Sequence, residues 1–139
     1  MKKVLALSLT LILIFGCSLS ASGSLKSKIV GTWQLCDKQT LQVDTTYNDF
    51  NQMRYKLITP TNFMVIEVKY YDKVLYGGFF GTYTLEKDVY TEFIDLTAVG
   101  YRLYQGQGNR FKIKIKGNLM YIKGLNNPYD EVWKRVTKK

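Results

Sequence analysis

The chain has 139 residues, 46% of them hydrophobic and 22% charged, which fits one globular domain. Its formal charge is +9 and it contains no histidine, which removes the commonest transition-metal ligand and the usual general base near neutral pH. Eleven tyrosines and seven phenylalanines, with only two prolines, direct the expectation to β-structure, because aromatic side chains suit pleated, half-buried surfaces.

The chain opens as an export signal. Lys2 and Lys3 form a basic start, and Val4 to Phe15 is uncharged and mostly apolar, too short for a comfortable membrane span. Two processing routes are open. Ile14-Phe15-Gly16-Cys17 resembles a bacterial lipobox, in which Cys17 becomes the lipidated first residue and anchors the protein to a membrane. The other route is ordinary cleavage among Ser18 to Gly23. The lipoprotein route is adopted, with Phe15 as its imperfect position. Residues 1–23 are therefore assigned to the signal and the start of a small, polar tether, and 24–139 to the folded domain. The expected location is the periplasm or outer membrane as a lipoprotein, or otherwise periplasmic or secreted. Without Lys2 and Lys3 the net charge is still about +7. A basic surface favours anionic partners, but an exported protein rarely meets nucleic acid, so none is expected. Cys36 is then the one cysteine in the domain, expected as a small semi-buried hydrophobe rather than a reactive thiol.

From Ile29 the apolar period is two, which predicts strands. Ile29 to Cys36 places Ile29, Gly31, Trp33 and Leu35 on one face. Residues 37–51 read as a long connection. Met53 to Thr59 sets Met53, Tyr55 and Leu57 opposite Arg54 and Lys56. Thr59-Pro60-Thr61-Asn62 has turn chemistry. Phe63 to Tyr71 follows, with Met64, Ile66, Val68 and Tyr70 as its apolar face and Glu67 and Lys69 outward. Val74 to Glu86 is interrupted by Gly77-Gly78 and Gly81, the signature of a bulge or sharp bend. In Val89 to Val99, Tyr90, Ile94, Leu96 and Ala98 share a face that includes Glu92. Tyr101 to Tyr104 starts a strand or caps a loop. Phe111, Ile113 and Ile115 alternate with Lys112, Lys114 and Lys116. Gly117-Asn118 is a primed hairpin turn. Leu119 to Lys123 and Asp130 to Val136 complete the set. About eight sequential strands joined by short turns predict an all-β fold, a small antiparallel up-and-down β-barrel, since closure removes exposed edges.

Four segments carry a resemblance: Val30-Gly31-Thr32-Trp33-Gln34-Leu35, Gly81-Thr82-Tyr83-Thr84, Tyr90-Thr91-Glu92 and Glu131-Val132-Trp133-Lys134-Arg135-Val136. In this order they resemble the lipocalin-like, calycin-type domains of exported Bacteroidetes proteins grouped as DUF4488. The resemblance spans nearly all of 25–137 and implies a lipocalin-like barrel, without an activity or catalytic residues. It also implies that Arg135 lies across Trp33, next to Gly31, and closes one end of the barrel. The C-terminal helix of secreted lipocalins has no counterpart after Val136, so a compact barrel is expected.

If its strand face points inward, Glu92 is a carboxylate inside the barrel. It would then anchor a ligand or form an internal salt bridge, because a buried carboxylate needs a partner. Tyr55, Tyr70, Tyr76, Tyr83, Tyr90, Tyr101 and Tyr104 are candidates for a pocket wall, and Arg102 for pairing with a ligand carboxylate. The expected partner is a small apolar or amphipathic molecule, held by a monomer. The alternative is an envelope structural or interaction protein whose barrel is filled by side chains. The sequence has no base-paired nucleophile, glycine-rich phosphate loop or metal-ligand cluster, so no catalysis, metal or cofactor is expected.

Overall fold

A computed structural model describes residues 23–43, 52–69, 71 and 73–137. Eight antiparallel strands form a closed barrel in sequence order: β1 (Gly31–Cys36), β2 (Gln52–Ile58), β3 (Asn62–Lys69), β4 (Leu75–Glu86), β5 (Val89–Thr97), β6 (Gly108–Lys116), β7 (Leu119–Gly124) and β8 (Asp130–Arg135). The ring closes where β8 pairs with β1, setting Trp33 opposite Arg135. A short helix, α1 (Leu25–Ile29), precedes β1, and a 3-10 helix (Val99–Tyr104) connects β5 to β6.

The two ends of the barrel differ. The closed end holds α1, the start of β1 and the tight turns after β2, β4 and β6. Ile29 and Trp33 are fully buried there, among Phe63, Tyr83, Tyr90, Ile113 and Met120. The indole Nε1 of Trp33 donates to the carbonyl of Ile29 at 2.8 Å, which fixes α1 across the opening. The guanidinium carbon of Arg135 lies 4.1 Å from the Trp33 ring centroid, a stacking contact worth about 0.5–2 kcal/mol. Arg135 also donates from Nη1 to the Val30 carbonyl at 2.8 Å and from Nη2 to that of Lys28. These carbonyls lie at and just beyond the end of α1, where no intrahelical donor remains. Gly31 has φ 142°, and a Cβ there would collide with Nη1 of Arg135, so the closure requires glycine.

The structure departs from the sequence expectation in several places. On β2 the inner face carries Arg54, Lys56 and Ile58, with Tyr55 and Leu57 only half-buried, because Arg54 and Lys56 find carboxylate partners inside the barrel. Ile29 ends α1 rather than starting a strand, because the Ser24 side chain caps that turn by accepting from the Ser27 amide. The face of β3 is inverted: Phe63, Val65 and Glu67 are buried, whereas Met64 is exposed and Ile66 and Val68 are half-buried. Glu67 can point inward because Arg54 sits opposite it on β2. Leu96 is exposed rather than sharing the face of Tyr90 and Ile94. Opposite β5, Phe80 pairs with Leu96 and Gly81 with Ile94, so Asp95 is an extra residue that reverses the phase. Gly81 permits this bulge, since a Cβ there would overlap the Phe93 carbonyl. Residues 101–104 lie in the 3-10 helix and cap the β5–β6 connection, the second of the two expectations for this stretch. The lysines of β6 lie as expected, with Lys112, Lys114 and Lys116 exposed and Phe111 and Ile113 buried.

Candidate functional site

Beyond Trp133 the interior turns polar. Lys56, Glu67 and Glu92 are 3%, 1% and 3% exposed, so each requires a partner. Lys56 from β2 reaches across the barrel and donates from Nζ to Oε1 of Glu92 on β5 at 2.7 Å. Its ammonium also lies 5.0 Å from the Trp133 ring centroid and 5.8 Å from that of Phe111. Glu67 is held on both oxygens, by Nη2 of Arg54 and by the hydroxyl of Tyr101 from the 3-10 helix. Glu131 at the start of β8 accepts from the Trp133 indole at 3.0 Å, with Nη1 of Arg54 3.7 Å from its other oxygen.

All of these residues except Glu67 line a cavity of about 60 Å³. Arg54, Lys56, Glu92, Glu131 and Asn109 supply its polar lining, and Val65, Ile94, Phe111 and Trp133 its apolar walls. Phe79, Tyr101, Tyr104 and Tyr129 complete it. Tyr101 and Tyr104 come from the 3-10 helix and Tyr129 from the β7–β8 connection, so these rings surround the mouth. Phe79 has ring centroids 6.3 Å from Tyr101 and 6.5 Å from Tyr104. Burial, reinforced by the hydrogen bond to Glu67, holds the Tyr101 hydroxyl well above the ordinary tyrosine range. Burial, followed by the neighbouring Tyr104, raises Tyr129.

The candidate side chains are dispersed: Tyr101 and Tyr104 line the cavity, whereas Tyr76 is exposed and does not. Glu92 lines the cavity, in an ion pair. Tyr90 is wholly buried below it, with Glu92 close enough to add to the effect of burial in raising its hydroxyl, yet that hydroxyl makes no well-formed hydrogen bond. Tyr83 packs against Tyr90 with tilted rings, centroids 5.0 Å apart, and donates to the Thr59 carbonyl at 2.8 Å, in the closed end. Tyr55 lies on the opposite face of β2 from Lys56, 3.9 Å from the Met53 sulfur. Arg102 is exposed on the 3-10 helix and does not line the cavity. Tyr70 and Cys17 lie outside the described residues. Cys36 is buried and donates to the Val132 carbonyl at 3.3 Å. No cluster of three or more metal-binding side chains exists among the described residues.

Arg54, Lys56, Glu67 and Glu131 are interior residues that the alternating pattern does not reveal as such. A signal for one pair was nevertheless present. The turn at residues 59–61 sets Ile58 opposite Phe63, which in register brings Arg54 opposite Glu67.

A profile of the family described as a domain of unknown function, DUF4488, matches residues 28–139. The chain belongs to the DUF4488 family. Two solved structures share the fold of this DUF4488 domain. One is a lipocalin-like protein from Bacteroides uniformis, 16% identical with a TM-score of 0.54, covering 77% of this chain and 97% of that one. The other is an uncharacterized protein from Bacteroides eggerthii, 15% identical with a TM-score of 0.53, covering 77% of this chain and 98% of that one. No match was found among curated proteins. The DUF4488 domain here is thus a lipocalin-like barrel, with its polar cavity at the end opposite the Trp33–Arg135 closure.

Proposed function

We propose that this DUF4488 domain is an exported binding protein for a small amphipathic molecule, which enters polar group first. The observation that carries this is the polar cavity beneath an aromatic mouth. Ligand sites characteristically combine apolar walls with a few fixed polar groups. The volume of about 60 Å³ suits a head group rather than a whole chain, so the apolar part of the ligand would lie between Tyr104, Tyr129 and Phe79. A wholly apolar ligand is disfavoured, because it would leave charged side chains facing hydrocarbon. The proposal includes no catalytic step, in keeping with interior carboxylates that are engaged by Arg54, Lys56, Tyr101 and Trp133. Lipidation at Cys17 would hold the barrel at a membrane surface through the tether.

The small cavity favours one competing reading, an envelope structural or interaction protein with a side-chain-filled barrel acting through its loops or basic face. Native mass spectrometry of the protein taken from its natural source separates the two. The binding reading expects a co-purifying small molecule that leaves on denaturation. Protein mass alone, with no displaceable adduct, supports the competing reading. The same spectrum reports whether Cys17 carries lipid.

A further inference from the structure

Charge around the cavity is unequal. Glu67, Glu92 and Glu131 face Arg54 and Lys56, so carboxylates exceed cations by one among the described interior residues of this end. The other inward-facing arginine, Arg135, is engaged at the closed end, across Trp33. The imbalance is localised. Glu67 has Arg54 and Tyr101, and Glu92 has Lys56 at 2.7 Å. Among the described residues Glu131 has only a neutral indole donor at hydrogen-bond distance and stands 3.7 Å from Arg54. It is also the carboxylate nearest the mouth in chain position, two residues after Tyr129 at the start of β8.

We propose that the cavity selects ligands bearing a protonated amine, with Glu131 as counter-ion and the rings of Tyr101, Tyr104 and Tyr129 facing the cationic head. This rests on the binding reading above and names its ligand class. An ammonium supplies the missing positive charge and donates to the Glu131 carboxylate. Aromatic faces attract cations and tolerate the attached methylenes, as they already do for Lys56 deeper in the same cavity. A carboxylate head group would add a fourth anion to the site.

The test compares three probes with the same chain: octylamine, octanol and octanoate. Each is titrated into the protein at neutral pH, below its aggregation limit, while tryptophan fluorescence is followed in a Trp33→Phe background, so that Trp133 is the reporter. At this pH the amine is protonated, because alkylamines ionise near the lysine value of about 10.4. The amine is expected to bind on the order of tenfold tighter than the alcohol, with octanoate weakest. Glu131→Gln keeps an acceptor for the Trp133 indole. It is expected to bring the amine-to-octanol affinity ratio from about tenfold down to near one. Equal binding of amine and alcohol, tighter binding of octanoate, or an undiminished amine advantage in Glu131→Gln overturns the assignment but leaves the binding reading standing. Failure of all three probes to bind overturns both. If Glu131→Gln does not fold, the order of the three probes on the protein with Glu131 intact decides.

Discussion

Lys56 and Glu92 are the most demanding residues in the barrel, because each is a charge almost wholly removed from water. Each satisfies the other at 2.7 Å, and the rings of Trp133 and Phe111 stand beside the ammonium. Removing one partner strands the other, at a typical cost of about 3–5 kcal/mol. Lys56→Met should therefore lower unfolding free energy by roughly that amount, read by urea denaturation. The double variant Lys56→Met/Glu92→Leu should lose less than Lys56→Met alone, since no charge is left unpaired. Greater loss in the double variant would show that the pair is not the main interaction. Tyr90 makes the opposite case. Its buried hydroxyl has no well-formed hydrogen bond, so Tyr90→Phe should change stability by no more than about 1 kcal/mol in the same assay. A loss well beyond that would mean that the hydroxyl has a strong partner, most simply Glu92.

At the scale of elements, α1 and β1 are fastened by one interlock. Trp33 holds the Ile29 carbonyl, and Arg135 stacks on Trp33 while bonding the carbonyls of Val30 and Lys28. Arg135→Ala should cost about 2–3 kcal/mol and release α1 first. Hydrogen exchange at residues 25–31 should then accelerate more than in β6 or β7, and uniform acceleration would argue against a local closure. Strand existence and order were legible from the period of two and the turn residues, because a sequentially wound antiparallel barrel follows the sequence locally. The inner face was less legible. On β3 both faces carry apolar residues, so Phe63 and Val65 compete with Met64, Ile66 and Val68. Glu67 then favours the wrong phase, because an isolated carboxylate belongs in water. Its partner Arg54 is visible only once the β2–β3 register is drawn. In β5 the single extra residue Asp95 turned Leu96 outward, and no pattern in that strand alone announces it.

For the whole molecule, the barrel is a cup: an apolar, interlocked base and a mouth whose floor is charged and whose rim is aromatic. Glu92 was legible as an interior carboxylate because it shares a face with Tyr90 and Ile94. Tyr101 and Tyr104 were legible as pocket tyrosines, but the charged remainder was not, since it is assembled from β2, β3 and β8, which meet only on closure. Burial also gives the whole fold a pH signature. Tyr83, Tyr90, Tyr101 and Tyr129 are all held above the ordinary tyrosine value. The folded protein thus retains protons that the unfolded chain gives up near pH 10. Their contribution to stability is complete below about pH 10 and declines as the pH rises through the folded values. The urea midpoint should fall above about pH 10, accompanied by delayed tyrosinate absorbance; a midpoint that rises there contradicts the assignment. The binding claim is tested most directly by mapping amide chemical shifts during titration with octanol, whose neutral head separates binding from charge preference. The account predicts saturable shifts concentrated at Phe79, Tyr101, Tyr104, Asn109, Tyr129 and Glu131, with Gly31, Trp33 and Arg135 unmoved. Shifts confined to the outer face of the barrel, or none at all, would contradict it.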